Sequence, residues 1–183
     1  KIIYDEHKAY SLASWPGMWE RTITFNGFSK AYAMTGWRLG YMAGPKVYMN
    51  EIAKIQSHSI THATSFAMAA GVAALTGPQD GIEEMVEAWE RRRNLVTAGL
   101  NKLRGVEYVP AEGAFYAFPD IRGTGMTAAE FADRALTEAA VAVVPGTAFG
   151  DSGEGFVRIS FATSDEILTE TISRLTTWLN KEN

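Results

Sequence analysis

Residues 26–41 read Asn-Gly-Phe-Ser-Lys-Ala-Tyr-Ala-Met-Thr-Gly-Trp-Arg-Leu-Gly-Tyr and lie between two short apolar runs. The run before them, residues 21–26, is rich in β-branched and apolar side chains, so it predicts a strand that ends at the turn dipeptide Asn26-Gly27. The run after them, residues 39–44, predicts another buried strand. Lys30 therefore follows the end of a strand, and in open α/β sheets ligands usually bind in the crevice beyond such strand ends.

Lys30 is a candidate nucleophile because apolar and aromatic residues lie close to it on both sides: Phe28, Tyr32, Met34 and Trp37. Burial among such side chains disfavours the charged form of an amine, and the neutral form is the nucleophile. The same spacing also fits an exposed turn lysine without a chemical role. Spacing by itself favours that simpler interpretation.

Two arginines with apolar flanks are candidate anion-binding residues. Arg38 lies in the segment just quoted, and Arg158 lies in an apolar run, residues 155–161, that predicts a strand. Alternation along that strand places Val157 and Ile159 on one face and Arg158 on the other. A guanidinium in apolar surroundings needs an anionic partner, because an isolated buried charge is costly. An internal salt bridge to Asp or Glu would meet that need equally well.

The order of the predicted elements divides the chain into three parts. Residues 1–80 hold three buried, non-alternating runs and two helices, which predicts an α/β fold with a partial parallel sheet. Residues 81–104 predict one long amphipathic linking helix. Residues 105–183 predict a small α+β domain in the order β-β-α-β-β-α, with capping boxes at residues 127–130 and 163–166. Three parallel strands are few for such a sheet, so we expect the sheet to be incomplete in this chain.

Composition excludes several classes of protein. With 46% hydrophobic and 21% charged residues among 183, the chain is globular rather than disordered or fibrous. A net charge of −4 gives no reason to expect nucleic acid or an anionic membrane as a partner. The lack of cysteine excludes a disulfide scaffold and a thiolate metal site, and no apolar run is long enough to span a bilayer. We therefore expect a cytoplasmic protein without a metal site.

Residues 26–41 resemble the lysine-attachment segment of the aspartate aminotransferase family, the class I/II (fold type I) pyridoxal-phosphate enzymes. Two further segments support the resemblance: Tyr4-Asp5-Glu6 at the end of the first predicted strand, and residues 157–163. The resemblance implies a large cofactor-binding domain, a long linking helix and a small C-terminal domain, in the order predicted above. It also implies that the chain is the C-terminal part of such an enzyme, because the family's glycine-rich phosphate loop and ring-stacking aromatic residue lie upstream of these segments.

The resemblance implies a role for four residues, with pyridoxal 5′-phosphate as the cofactor. Lys30 forms the Schiff base with the cofactor and later moves the proton at the substrate Cα. Arg38 binds the cofactor phosphate, for which a planar guanidinium is suited. Asp5 pairs with the pyridine nitrogen and keeps it protonated, and Arg158 binds the substrate α-carboxylate. One departure from the family pattern is Lys8, because members commonly carry a tyrosine at that position.

The implied function is transfer of an amino group from an amino acid to a 2-oxo acid, by a homodimer, and residues 35–38 favour the aspartate/aromatic type. Two alternatives remain open. One is another fold type I lyase, since Lys30, Asp5 and Arg38 serve those reactions too. The other is the ligand-sensing domain of a bacterial transcription regulator, which would carry a helix-turn-helix module upstream. Because part of the active site lies outside the chain, we expect this polypeptide alone to be inactive.

Overall fold

The computed structural model describes residues 1–181, which form two compact units. The first unit comprises Lys1 and His7–Glu84. The second comprises Ile2–Glu6 and the chain from Met85 onward. Each unit has its own sheet, with two strands in the first unit and three in the second.

The first unit contains one β-hairpin and two helices. Its strands and helices are β1 (Thr24–Gly27), β2 (Gly40–Ala43), α1 (Lys46–Ser59) and α2 (Ser65–Thr76). Short 3₁₀ helices lie at Leu12–Ser14, Trp19–Arg21 and Thr35–Trp37. The two helices predicted within residues 1–80 are present as α1 and α2, and α1 begins directly after Pro45, whose ring fixes φ in a range that suits a helix start.

The parallel arrangement predicted for these strands is wrong. β1 and β2 pair antiparallel, with Gly27 opposite Gly40. The cause is the connection between them, because residues 28–39 contain only one short 3₁₀ helix and nothing that could carry the chain across the sheet, as a parallel pair requires. The first predicted strand, which ends at Glu6, instead forms an isolated antiparallel bridge within the second unit, between Ile3 and Gly113. Every strand pair within residues 1–181 is antiparallel.

The second unit combines an antiparallel sheet with helices. Its elements are α3 (Asp80–Leu100, from Met85 onward in this unit), β3 (Tyr116–Ala117), α4 (Ala128–Ala139), β4 (Val144–Pro145), β5 (Val157–Ser160) and α5 (Asp165–Lys181). Short 3₁₀ helices lie at Arg122–Thr124, Gly146–Phe149 and Asp151–Gly153. The strand order is β3-β5-β4. The first strand predicted after residue 105 is reduced to a single bridge between Glu107 and Asp120.

Local sequence signals set the helix ends in the second unit. The hydroxyl of Thr127 accepts the Glu130 N–H at 3.2 Å, so Thr127 caps the start of α4, as the first predicted capping box requires. At the second box the cap is Ser164 rather than Thr163, because α5 begins at Asp165 and the Ile167 N–H donates to the Ser164 hydroxyl at 3.4 Å. The long helix predicted at residues 81–104 ends at Leu100.

The hydrophobic core lies in the second unit. Apolar side chains at helical spacing on α3 and α5 belong to one buried cluster with the inward face of β5: Trp89, Val96, Leu100, Leu168, Leu175, Leu179, Val157 and Ile159. The first unit differs, because only four of its residues are buried: Phe28, Met34, Ala67 and Gly71.

Candidate active site

Lys30 and Arg38 lie on one loop of the first unit, residues 28–39, which we call the lysine loop. The loop is closed at its base, where the Phe28 N–H donates to the Leu39 carbonyl at 3.2 Å beside the last pair of the β1–β2 ladder. The backbone ladder therefore fixes both ends of the segment that carries the two residues.

Helix α2 supports the lysine loop from one side. Phe28 is only 3% exposed, and its ring lies 5.4 Å from the ring of Tyr32. A Cβ atom built on Gly71 of α2 would lie 2.6 Å from Leu39 Cδ2 and 3.3 Å from Phe28 Cζ. Glycine at this position lets α2 pack directly against the loop.

The apolar shelter predicted for Lys30 is not formed by residues 1–181, where the Lys30 side chain is exposed. Phe28 and Met34 are buried, whereas Trp37 is 44% exposed and its ring contacts the ring of Phe66 on α2. The apolar side chains of the lysine loop thus pack against the rest of the first unit and do not enclose the Lys30 amine.

Arg38, the last residue but one of the lysine loop, has a left-handed backbone conformation, with φ of 51°. Its guanidinium donates to the Thr35 carbonyl at 3.0 Å, and the Thr35 hydroxyl donates to the Ser29 carbonyl at 2.9 Å. This relay ties Arg38 to the residue next to Lys30. No acidic side chain within residues 1–181 pairs with Arg38, so its remaining N–H donors are available for an anion.

Arg158 lies on β5 of the second unit between two aromatic rings. Its Cζ atom is 4.5 Å from the ring centroid of Tyr116 and 4.8 Å from that of Phe149. The predicted alternation is confirmed, because Val157 and Ile159 are buried and Arg158 is half-buried on the opposite face. Within the described chain Arg158 makes no salt bridge, which removes the internal ion pair as an explanation for it. Aromatic faces orient a guanidinium but do not neutralise it, so the arrangement suits binding of an anion.

The loop that carries Phe149 is held by two glycines in close contact. The Gly146 N–H donates to the Phe156 carbonyl at 2.8 Å. A Cβ atom on Gly146 would lie 2.7 Å from that same carbonyl oxygen and in collision with the carbonyl of Gly153. Both obstacles are backbone atoms, which cannot move aside as a flexible side chain could.

Replacing Gly146 with alanine should therefore lower the free energy of unfolding by about 1–3 kcal/mol, as expected when atoms are added to a packed site. Urea unfolding of the protein would measure the loss. Gly81→Ala is the control, because a Cβ atom at Gly81 meets no atom within 4 Å. Equal stabilities of the two variants would show that the Gly146 loop is not packed as described.

Asp5 lies in the second unit at the end of the segment that bridges to Gly113, and its side chain is 51% exposed. Its two carboxylate oxygens accept hydrogen bonds from the guanidinium of Arg93 on α3, at 2.8 and 3.0 Å. The sequence analysis missed Arg93, although a signal was present. It occupies a position on the buried stripe of α3, between Trp89 and Val96, where an arginine needs a partner.

The four predicted site residues are divided between the units. Lys30 and Arg38 share the lysine loop of the first unit, and Asp5 and Arg158 belong to the second. Phe149 was also missed, since it lies in a 3₁₀ turn with no periodic pattern in the sequence to relate it to Arg158.

Residues 2–175 match the family described as aminotransferase class I and II. The chain belongs to this family. The aspartate aminotransferase of Pyrococcus abyssi is 49% identical over 176 residues, which cover 95% of this chain and 45% of the relative. The aromatic-amino-acid aminotransferase 2 of Thermococcus litoralis is 47% identical over 176 residues, with the same coverage of 95% and 45%.

Solved aminotransferase structures share the fold. The aromatic aminotransferase from Pyrococcus horikoshii OT3 superposes with a TM-score of 0.94 at 47% identity, over 98% of this chain and 48% of that one. The aspartate aminotransferase from Rhizobium meliloti gives a TM-score of 0.92 at 42% identity, over 98% and 47%. The chain therefore has the aminotransferase fold, and it spans less than half the length of these relatives.

The residues of this aminotransferase chain fit pyridoxal phosphate by their chemistry. Lys30 offers an exposed amine, Arg38 offers a guanidinium without an acidic partner, and Asp5 offers a half-exposed carboxylate. Within residues 1–181, no three His, Asp or Glu side chains are grouped so as to hold a metal ion. None of the helices in the described part of the chain has the length and apolar character that crossing a membrane requires.

Proposed function

We propose that this chain is the part of a pyridoxal-phosphate-dependent transaminase that carries the cofactor lysine and the substrate carboxylate clamp. The lysine loop is the observation that supports the proposal most directly. One closed loop holds both Lys30 and Arg38, and Arg38 has donors that no acidic side chain of residues 1–181 occupies. An amine and a free guanidinium on one rigid loop match a ligand that has an aldehyde and a phosphate.

When bound, pyridoxal phosphate supplies a ring that withdraws electrons from the substrate Cα. Lys30 would hold the cofactor covalently through its amine and, once the substrate amine displaces it, take up and return the Cα proton. Arg38 would bind the phosphate dianion through parallel N–H donors. Asp5 would hold a proton at the pyridine nitrogen.

The proposed substrates are an α-amino acid and a 2-oxo acid, which share a carboxylate next to the reacting carbon. Arg158 would bind that carboxylate, with Tyr116 and Phe149 stacked on the guanidinium so that its donor edge stays in one orientation. Relatives named as aspartate and aromatic aminotransferases support the same two side-chain classes here. They also favour a transaminase over a lyase or the sensing domain of a regulator.

We also propose that the full enzyme is a cytoplasmic homodimer that acts on small molecules and binds neither nucleic acid nor membrane. The net charge of −4 supports the last part, because it offers polyanionic partners no overall attraction. The dimer follows from the family resemblance.

Reduction with borohydride in the presence of pyridoxal phosphate tests the assignment of Lys30 in the enzyme that contains this chain. Trypsin cleaves this region after Arg21, Lys30 and Arg38. A modified lysine resists trypsin, so we expect the label on a single peptide that covers residues 22–38 instead of two peptides that meet at Lys30.

The control is Lys30→Arg, which keeps the tryptic site and removes the amine. This variant should carry no label and should yield the two separate peptides. A label on a different lysine, or an unlabelled wild-type enzyme, would contradict the proposal.

A further inference from the structure

Asp5 is fixed at two points by residues of α3. Its carboxylate accepts hydrogen bonds from both terminal nitrogens of Arg93, at 2.8 and 3.0 Å. Its backbone N–H donates to Glu90 Oε1 at 3.1 Å. Glu90 Oε1 also accepts from Arg93, at 3.4 Å. One turn of helix therefore determines both the backbone and the side-chain orientation of Asp5.

Arg93 is built into the second unit, unlike an arginine of a surface ion pair. It is 6% exposed, and its Cζ atom lies 5.0 Å from the ring centroid of Tyr4, the residue before Asp5. It also donates to the Ala111 carbonyl at 3.2 Å, and its Nε donates to Asn94 at 3.1 Å. The hydrogen bonds with Asp5 raise the pKa of Arg93, so the cation persists at any working pH. All sides of the guanidinium are occupied, which leaves it one orientation.

Tyr4 packs against the Arg93 guanidinium and is itself held in place. It is fully buried, its N–H donates to the Glu112 carbonyl at 3.0 Å, and its hydroxyl donates to the Ala114 carbonyl. Burial raises the pKa of Tyr4 to about 12, so the hydroxyl remains a neutral donor. Tyr4, which precedes Asp5, is thus held as firmly as Arg93, which binds the Asp5 carboxylate.

Asp5 itself remains accessible although it is held firmly. Its side chain is 51% exposed while that of Arg93 is 7% exposed, and each carboxylate oxygen can accept a second hydrogen bond. Its backbone is left-handed, with φ of 55°, a conformation that is uncommon outside glycine although aspartate tolerates it better than most residues. A buried arginine thus holds one half-exposed carboxylate in place.

We infer that Arg93 is the positioning residue for Asp5: it holds the carboxylate in the orientation in which the outward lone pairs meet the ring nitrogen of the cofactor. The inference rests on the proposed function, and it adds a residue that does not touch cofactor or substrate. The two parallel hydrogen bonds from the Arg93 guanidinium fix the plane of the carboxylate, whereas a lysine would keep the charge but could not fix that plane.

A purely structural role for Arg93 makes a different prediction. If the ion pair only fastened residues 2–6 to α3, its loss would weaken binding of every cofactor analogue alike. If it orients Asp5, the loss should affect only ligands that have a ring nitrogen. A carbocyclic analogue of pyridoxal phosphate, with C–H in place of that nitrogen, separates the two roles.

The experiment measures dissociation constants of pyridoxal phosphate and of the carbocyclic analogue for the apo form of the enzyme that contains this chain. For Arg93→Lys we expect binding of pyridoxal phosphate to weaken about tenfold, the value of one charge-assisted hydrogen bond, and binding of the analogue to change less than about twofold. Arg92→Lys is the matched control, because Arg92 lies on the same helix and pairs with Asp165 at 2.9 Å. It should change neither constant.

A second variant, Glu90→Ala, releases the Asp5 N–H and leaves the buried arginine paired with the carboxylate. Because Glu90 Oε1 also accepts from Arg93, the variant loosens the guanidinium together with the Asp5 backbone. It should weaken binding of pyridoxal phosphate selectively by about threefold, so orientation of Asp5 by Arg93 and its helix stays testable if Arg93→Lys does not fold. Equal losses for the two ligands, or no loss for either, would overturn the role of Arg93. A wild-type enzyme that binds both ligands equally would overturn the contact of Asp5 with the ring nitrogen, and one that binds neither would instead overturn the proposed function.

Discussion

Lys30→Ala should lower the transamination rate by about 10⁴-fold or more, because the variant loses both the amine that holds the cofactor and the base that moves the Cα proton. The measurement is a single-turnover reaction of the variant, loaded with pyridoxal phosphate, with an amino acid substrate. Substrate binding should change far less than the rate, since Lys30 contributes a proton transfer rather than a contact with the substrate carboxylate.

Lys46→Ala is the matched control for this variant. Lys46 is an exposed lysine of the same unit and lies at the start of α1, outside the lysine loop. It should leave the rate unchanged. If Lys30→Ala kept more than about a tenth of the wild-type rate, Lys30 would not be the proton-transfer group.

Arg158→Leu should lower kcat/KM for amino acid substrates by about 10³-fold, because it removes two charge-assisted hydrogen bonds to the substrate carboxylate. Leucine retains apolar contact with the rings of Tyr116 and Phe149, so the fold should persist. The loss should disappear when the substrate is an amine without a carboxylate. Steady-state kinetics with the two kinds of substrate would measure the contrast.

Arg122→Leu provides the control for the Arg158 prediction. Arg122 lies in the same unit, pairs with Asp120 and stacks over Phe156 at 5.5 Å, so it combines an aromatic contact with an internal acidic partner. Its replacement should leave kcat/KM within about threefold of the wild-type value, as for an exposed ion pair. A similar loss for both kinds of substrate in Arg158→Leu would exclude Arg158 as the carboxylate clamp.

Local sequence patterns were sufficient to predict the helices of this chain. The apolar spacing on α3 and the capping signal at Thr127 act within a few residues, and both helices form there, although α3 ends at Leu100 rather than at residue 104. The direction of β1 against β2 could not be predicted from the apolar character of the strands. It depends on what the intervening residues 28–39 form, and a loop with one short 3₁₀ helix favours an antiparallel return.

In the candidate site, too, the features set by neighbouring residues could be predicted, and those set by distant residues could not. Alternation on β5 predicted the side to which Arg158 points, because that property is local to one strand. The ring of Phe149 beside it and the pairing of Arg93 with Asp5 arise from residues distant in the chain, and neither follows from any periodicity. Lys30 was predicted to be sheltered, yet the apolar residues near it in sequence pack toward α2 instead.

Two of the four residues proposed to bind cofactor or substrate, Asp5 and Arg38, have a left-handed backbone, with φ of 55° and 51°. That conformation costs an ordinary L-residue about 1–2 kcal/mol, which glycine avoids. Backbone conformation alone would therefore favour glycine at both positions. At Asp5 that gain is outweighed, because glycine would leave the buried guanidinium of Arg93 without its carboxylate. A higher melting temperature is therefore expected only for Arg38→Gly, which would delete the proposed phosphate-binding guanidinium, so engineering of this sequence for heat resistance should leave both residues untouched.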